Sequence, residues 1–210
     1  MTGLRRMGFV CCALMVGCLV ASASPLLAGV AKSDISRSAE EVRVNDPVYA
    51  KALVMDDGET KLAIVAMDVI AIGGIGEVGD DFLPQLRARI ESELGIPGKN
   101  VLVNASHNHP PINFLCPPDE QVWRAFDAVK RASESMTEVT VGAGAGHEDR
   151  ISMNRTLHLT NGLAWTIRHS NPSPPDEEVD AVGTMDPEIG ILRIDRADGS
   201  PLAVVYNFAC

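Results

Sequence analysis

Ser106-His107-Asn108-His109-Pro110-Pro111 is the stretch of this sequence whose residue types could do chemistry. Two imidazoles two residues apart can offer neutral nitrogen ligands to one metal ion, or one ligand and one neighbour that handles protons. The run before them, Asn100 to Ala105, is short, apolar and rich in β-branched residues. It predicts a buried strand that Pro110 and Pro111 bring to a stop. Side chains at i and i+2 of a strand share a face, so His107 and His109 are expected to leave the sheet together. A histidine pair does not complete the four-coordinate shell that zinc prefers, and the same spacing also suits two loop histidines that pack and hydrogen-bond locally.

The elements that must position this pair can be read from hydrophobic period and turn chemistry. Val48 to Met55 alternates and ends at Asp56-Asp57-Gly58, and Lys61 to Ile70 is then almost continuously apolar, which predicts a hairpin. Its second arm, Leu62 to Ala66, is apolar on both faces, as in a covered central strand. From about Glu77 to Leu94, the apolar residues Phe82, Leu83, Leu86, Ile90 and Leu94 fall at helical intervals, with Gly95 as a stop, and Pro84 fits only if the helix proper begins near Asp81. A second helix is predicted from Pro118 to Ser133. Thr137 to Val141 reads as a strand, with Gly142, Gly144 and Gly146 expected to open a turn after it. His147, beside Glu148 and Asp149, reads as a solvated loop residue. Asn171 to Pro187, with Pro172, Pro174 and Pro175, reads as a long surface loop of the kind that is often functional. Glu188 to Arg196, Asp198-Gly199 and Pro201 to Cys210 repeat the hairpin pattern. Strands and helices therefore alternate in an α/β arrangement of mixed β-sheets covered by helices.

The first residues have the order of a secretory leader: Arg5 and Arg6, an apolar run from Met7 to Val20, then Ala21-Ser22-Ala23. Residues 1–23 are therefore expected to be removed, with cleavage near Ala28 as the alternative, leaving 24–210 as an exported periplasmic or secreted segment. A lipoprotein anchored at Cys18 is the other reading of the same stretch. Removing Cys11, Cys12 and Cys18 leaves Cys116 and Cys210, which either pair or stand as separate thiols; two such residues do not make a disulfide scaffold. The formal charge of −10 repels phosphate backbones, which argues against nucleic acid as a partner. The chain carries no nucleophile motif, P-loop or dinucleotide fingerprint. Leu202 to Cys210 is still strand where the sequence stops, and this predicts a fragment of something longer.

Taken in order, several segments resemble the N-terminal part of the neutral/alkaline non-lysosomal ceramidase family. They are Ala28-Gly29-Val30-Ala31-Lys32-Ser33-Asp34-Ile35, Asp46-Pro47-Val48-Tyr49-Ala50-Lys51-Ala52-Leu53 with Asp57-Gly58-Glu59-Thr60, Ser106-His107-Asn108-His109, Asn154-Arg155, Asp186 to Arg193, and Asn207-Phe208-Ala209-Cys210. The resemblance implies a zinc-dependent (Zn2+) amide hydrolase in which His107 is a metal ligand, His109 stabilises the developing oxyanion or its water, and Arg155 lines the same site. A plain role for Arg155, as a structural partner of Asp34 or another carboxylate, stands beside that one. The family's other ligands would lie beyond Cys210, so the 210-residue chain alone is expected to be inactive; the alternative reading is a non-catalytic exported domain that retains the fold. The implied substrate is ceramide or a related lipid or N-acyl amide, with peripheral contact to a membrane surface. Many family members have Thr between the histidines and Ser-Gly after them. Asn108 and Pro110-Pro111 depart from that pattern, and the change bears on the acyl-chain substrate more than on zinc.

Overall fold

The computed structural model describes residues 24–37, 44–168 and 170–209. The leader expected over residues 1–23, Cys18 within it, and Cys210 lie outside the described residues. Among the described residues, ten strands form two sheets, accompanied by two α-helices. Strands β1 (Leu27–Asp34), β2 (Tyr49–Asp56), β3 (Lys61–Met67), β4 (Val101–Ala105), β5 (Thr137–His147), β9 (Glu188–Arg196) and β10 (Pro201–Phe208) make one sheet in the order β10-β9-β5-β1-β2-β3-β4. The shorter strands β6 (Thr156–Leu159), β7 (Ala164–Thr166) and β8 (Val179–Val182) make the other, in the order β7-β6-β8.

The predicted hairpin forms as β2 and β3, paired antiparallel from Ala50–Met67 to Asp56–Lys61. Its turn uses Gly58 at φ 89°, and the Asp57 side chain accepts the backbone N–H groups of Glu59 and Thr60. Strand β4 lies parallel to β3. Parallel neighbours need a crossover, and helix α1 (Phe82–Leu94) supplies it. The C-terminal ends of β3 and β4 therefore lie side by side, the position where open α/β sheets commonly place ligands.

Helix α2 (Pro118–Glu134) starts at a proline in its first turn with Asp119 and Glu120 behind it, and ends with Arg131 in its last turn, as the helix dipole favours. It lies on β1 and β2, where small residues let it come close. A Cβ on Gly29 would stand 2.0 Å from the carbonyl oxygen of Ala132. The main core fills this layer: Ala50, Ala52, Val54, Ala63, Val65 and Met67 from the sheet meet Phe82, Leu86, Ile90, Ala125, Phe126 and Val129 from the helices. At the polar end, Arg131 donates to the Lys32 carbonyl and the Ser33 hydroxyl, and Arg124 to the carbonyls of Asp34 and Ser36.

The helices cover one face only. On the other, Ala28, Val30, Leu53 and Ile64 meet Val139, Leu192, Ile194, Ala203 and Val205, so the β9–β10 hairpin folds back over the sheet and forms a second, smaller core. Strand β5 makes the bend possible: only Thr137 and Glu138 pair with β1, while Val139 to His147 pair with β9.

Three expectations change. The Gly142, Gly144 and Gly146 segment is not a turn, because Val141 to His147 continues the β5 ladder against β9. Strand β4 is an edge strand rather than a buried one; it pairs with β3 alone, and Leu102 is 56% exposed. The Asn171 to Pro187 loop contains β8, whose short run gives little periodic signal. His147 ends β5 as an exposed residue, 3.4 Å from the Asp149 carboxylate.

Candidate functional site

Strand β4 ends at Ala105, so both histidines sit in the loop beyond it. Ser106 still donates its N–H to the carbonyl of Met67 at 2.9 Å, which keeps the start of the loop beside the end of β3. At His107 the backbone turns into the left-handed region, φ 58°, and strand alternation stops there. The two rings nevertheless come together, edge to face, with centroids 4.8 Å apart. They meet through a turn rather than through the pleat that the spacing suggested.

The His107 ring is held from one side. Its Nδ1 lies 2.8 Å from the carbonyl oxygen of Ile70, in the loop after β3. A carbonyl only accepts, so this contact puts a proton on Nδ1, and in the neutral ring it leaves the lone pair on Nε2. A histidine that gives its second nitrogen to a backbone carbonyl is oriented and tautomerically fixed in the way metal-ligating histidines usually are. Both rings are exposed.

The loop is pinned again further along. Phe114 donates its N–H to the Glu77 carboxylate at 3.3 Å, Arg37 donates its N–H to the Phe114 carbonyl, and Cys116 donates its N–H to the Ile35 carbonyl. Between the two anchors, His107 to Pro111 face outward, with Pro110 and Pro111 lacking N–H donors and fixing φ. Cys116 is buried beneath the second anchor, and burial pushes its thiol up to about 11. It is a neutral, unreactive thiol at physiological pH.

Arg155 stands elsewhere, directly before β6. Its carbonyl accepts the Ile167 N–H, and its exposed side chain makes no hydrogen bond or ion pair among the described residues. No partnership with Asp34 or another carboxylate forms among the described residues; the Asp34 carboxylate accepts the Ser36 N–H. No bond joins Arg155 to the histidine pair. The neighbouring Asn154 bonds the Thr184 carbonyl and the Thr156 N–H, which fixes the backbone from which Arg155 projects.

The residue that spacing did not single out is Asp68, directly after β3. Its carboxylate accepts the Tyr49 N–H at 3.1 Å and pairs with the Lys51 ammonium at 2.9 Å. A charge at the end of a central apolar strand, Ala66-Met67-Asp68, is the signal that could have found it. The carbonyl of Ile70 has no counterpart in sequence at all.

Among the described residues, no group of three or more His, Cys, Asp or Glu side chains converges as a metal site. His107 fits one position of a zinc shell, and the set is incomplete without three further ligands.

Two solved structures share this architecture. One is a ceramidase complexed with C2, 19% identical, with a TM-score of 0.63 over 88% of this chain and 31% of that one. The other is neutral ceramidase from Pseudomonas aeruginosa, 18% identical, with a TM-score of 0.60 over 89% of this chain and 32% of that one. The fold is a neutral ceramidase fold, in part. At such identities the likeness is one of fold, and the chain spans about a third of the length of the ceramidases it matches. No protein-family model matches the chain, and no curated protein matches it by sequence. The expected α/β arrangement of mixed sheets and helices therefore coincides with part of a ceramidase-type domain.

Proposed function

We propose that the full-length protein containing this chain is an exported zinc-dependent hydrolase of an amide bond, with ceramide or a related lipid or N-acyl amide as substrate. The observation that carries this reading is the His107 ring on a ceramidase-type fold, held through Nδ1 so that Nε2 is free to bind a metal ion. Zinc supplies, when bound, a Lewis acid and a water acidified toward neutrality. His107 would hold the ion. His109, with its ring against that of His107, would donate to the oxygen on which negative charge develops. The Arg155 guanidinium, a role that rests on the family resemblance, would oppose the same charge. Arg155 is free of other partners for that role among the described residues.

The export part of the proposal rests on the order of residues 1–23. Ala28 is wholly buried in β1 and pairs with Met55 and Thr137, so cleavage after Ala23 leaves the strand whole, whereas cleavage after Ala28 would remove its first pairs. A lipid substrate brings such a protein to a membrane surface in the periplasm or outside the cell. The deciding experiment measures zinc content and amidase activity of the full-length protein and its His107→Ala variant. About one zinc per chain, with both zinc and activity lost in the variant, is the expected result. Retention of both would overturn the reading.

A further inference from the structure

His107 is held in the left-handed backbone region, φ 58°, which few residues other than glycine adopt. Something must hold it there, and the bond from Nδ1 to the Ile70 carbonyl is the only polar contact its ring makes among the described residues. The position of that carbonyl is therefore decisive.

Ile70 lies two residues past Asp68, where β3 leaves the sheet in a tight turn: Val69 donates its N–H to the Met67 carbonyl at 2.9 Å. The same carbonyl receives the Ser106 N–H, one residue before His107. Asp68 sits at the apex. Its N–H donates to the Tyr49 carbonyl at 2.9 Å, and its side chain returns to the same residue, accepting the Tyr49 N–H. The second carboxylate oxygen takes the Lys51 ammonium and lies 3.5 Å from the Ser106 hydroxyl, too long to count as a strong bond. One carboxylate thus ties the start of β2 to the turn that aims Ile70, with the residue before His107 at its edge. The Asp68 side chain is 18% exposed, so these bonds are partly shielded from water.

We infer that Asp68 is a positioning residue for His107: it fixes the turn whose Ile70 carbonyl selects the Nδ1–H tautomer and leaves Nε2 as the free nitrogen. The inference rests on the proposed zinc reading only for its functional consequence; the tautomer is a property of this chain with no metal present. Asp68 need touch neither the ion nor the substrate.

The test is the side-chain 15N spectrum of neutral His107 in the metal-free 210-residue chain, in the parent and in D68N and D68A. The parent should show mainly the Nδ1–H form. Each folded variant should lower the ratio of Nδ1–H to Nε2–H forms by about tenfold, the size of one lost hydrogen bond. A purely structural Asp68 would lower the unfolding temperature and leave this ratio unchanged, and that result in either folded variant overturns the inference. D68N keeps the side-chain volume and serves should D68A fail to fold. Should neither fold, the parent still decides: a majority of the Nε2–H form at His107 removes the premise. The zinc reading fails separately. If D68N shifts the tautomer while His107→Ala leaves the full-length protein's zinc in place, the positioning role stands and the proposed function does not.

Discussion

At the scale of single residues, the two histidines have different environments and should fail in different ways. His107 is oriented by a backbone carbonyl, whereas the His109 ring makes no hydrogen bond among the described residues and meets the His107 ring edge to face. His109→Ala in the full-length protein is therefore expected to keep its zinc and lose about a hundredfold or more in kcat, the size of losing one donor to a developing oxyanion. Metal analysis beside steady-state kinetics checks this, and loss of zinc would reassign His109 as a ligand. Arg155→Lys keeps the charge and loses the planar fork, so it should lower kcat/KM without altering zinc content.

Cys116 gives a prediction of another kind. Burial raises its folded-state value to about 11 from an ordinary 9.0. Between these values the unfolded chain ionises first and the folded chain binds more protons, so stability falls as pH rises through this window, by on the order of 2 kcal/mol in all. Below pH 9 the contribution is fully present. Urea unfolding of the parent and Cys116→Ala at pH 8 and pH 10.5 should show the parent losing more than the variant; equal losses would assign the pH dependence to other groups.

At the scale of elements, the close approach of α2 to β1 is the most exposed to change. A methyl group on Gly29 would overlap the Ala132 carbonyl and crowd the Met136 N–H at 2.9 Å, and the nearest atoms are backbone that cannot rotate away. Gly29→Ala should therefore destabilise the chain by about 3 kcal/mol, the upper end for overpacking. Thermal unfolding measures it, and a change under 1 kcal/mol would mean that the helix moves aside easily. The sequence made the long elements legible. Helix α1 begins at Phe82 after Asp81, α2 spans Pro118–Glu134, and β9 and β10 follow the apolar runs on either side of Asp198-Gly199. It misled where composition and pairing conflict. Gly142, Gly144 and Gly146 look like turn residues, yet nine residues of β5 from Val139 to His147 find partners along β9, and tertiary pairing overrides local preference.

At the scale of the whole molecule, two cores share one sheet, and their sizes differ. The helix-side core draws on both helices and four strands, while the second consists of four buried residues, Ala28, Leu53, Val139 and Ile194, with partly buried neighbours. Ile194 joins the β9–β10 hairpin to the rest. Ile194→Ala should cost about 2–5 kcal/mol and release β9 and β10 before β2 and β3. Hydrogen exchange resolves the order, and simultaneous loss of protection in both regions would show a single cooperative unit. The acidic surface belongs to this scale too, since a net charge of −10 disfavours phosphate-rich partners whatever the site does.

The sequence by itself determined the α/β class, the two helices, the main hairpins and the histidine pair, because hydrophobic period, turn residues and residue chemistry are local properties. Only the tertiary structure decided that His107 carries its proton on Nδ1, that Asp68 braces the turn beneath it, that Arg155 is not bonded to Asp34, and that β9 and β10 close the sheet's second face. The reason is physical. A backbone carbonyl such as that of Ile70 has the same chemistry at every position, and only the fold says which side chain it meets.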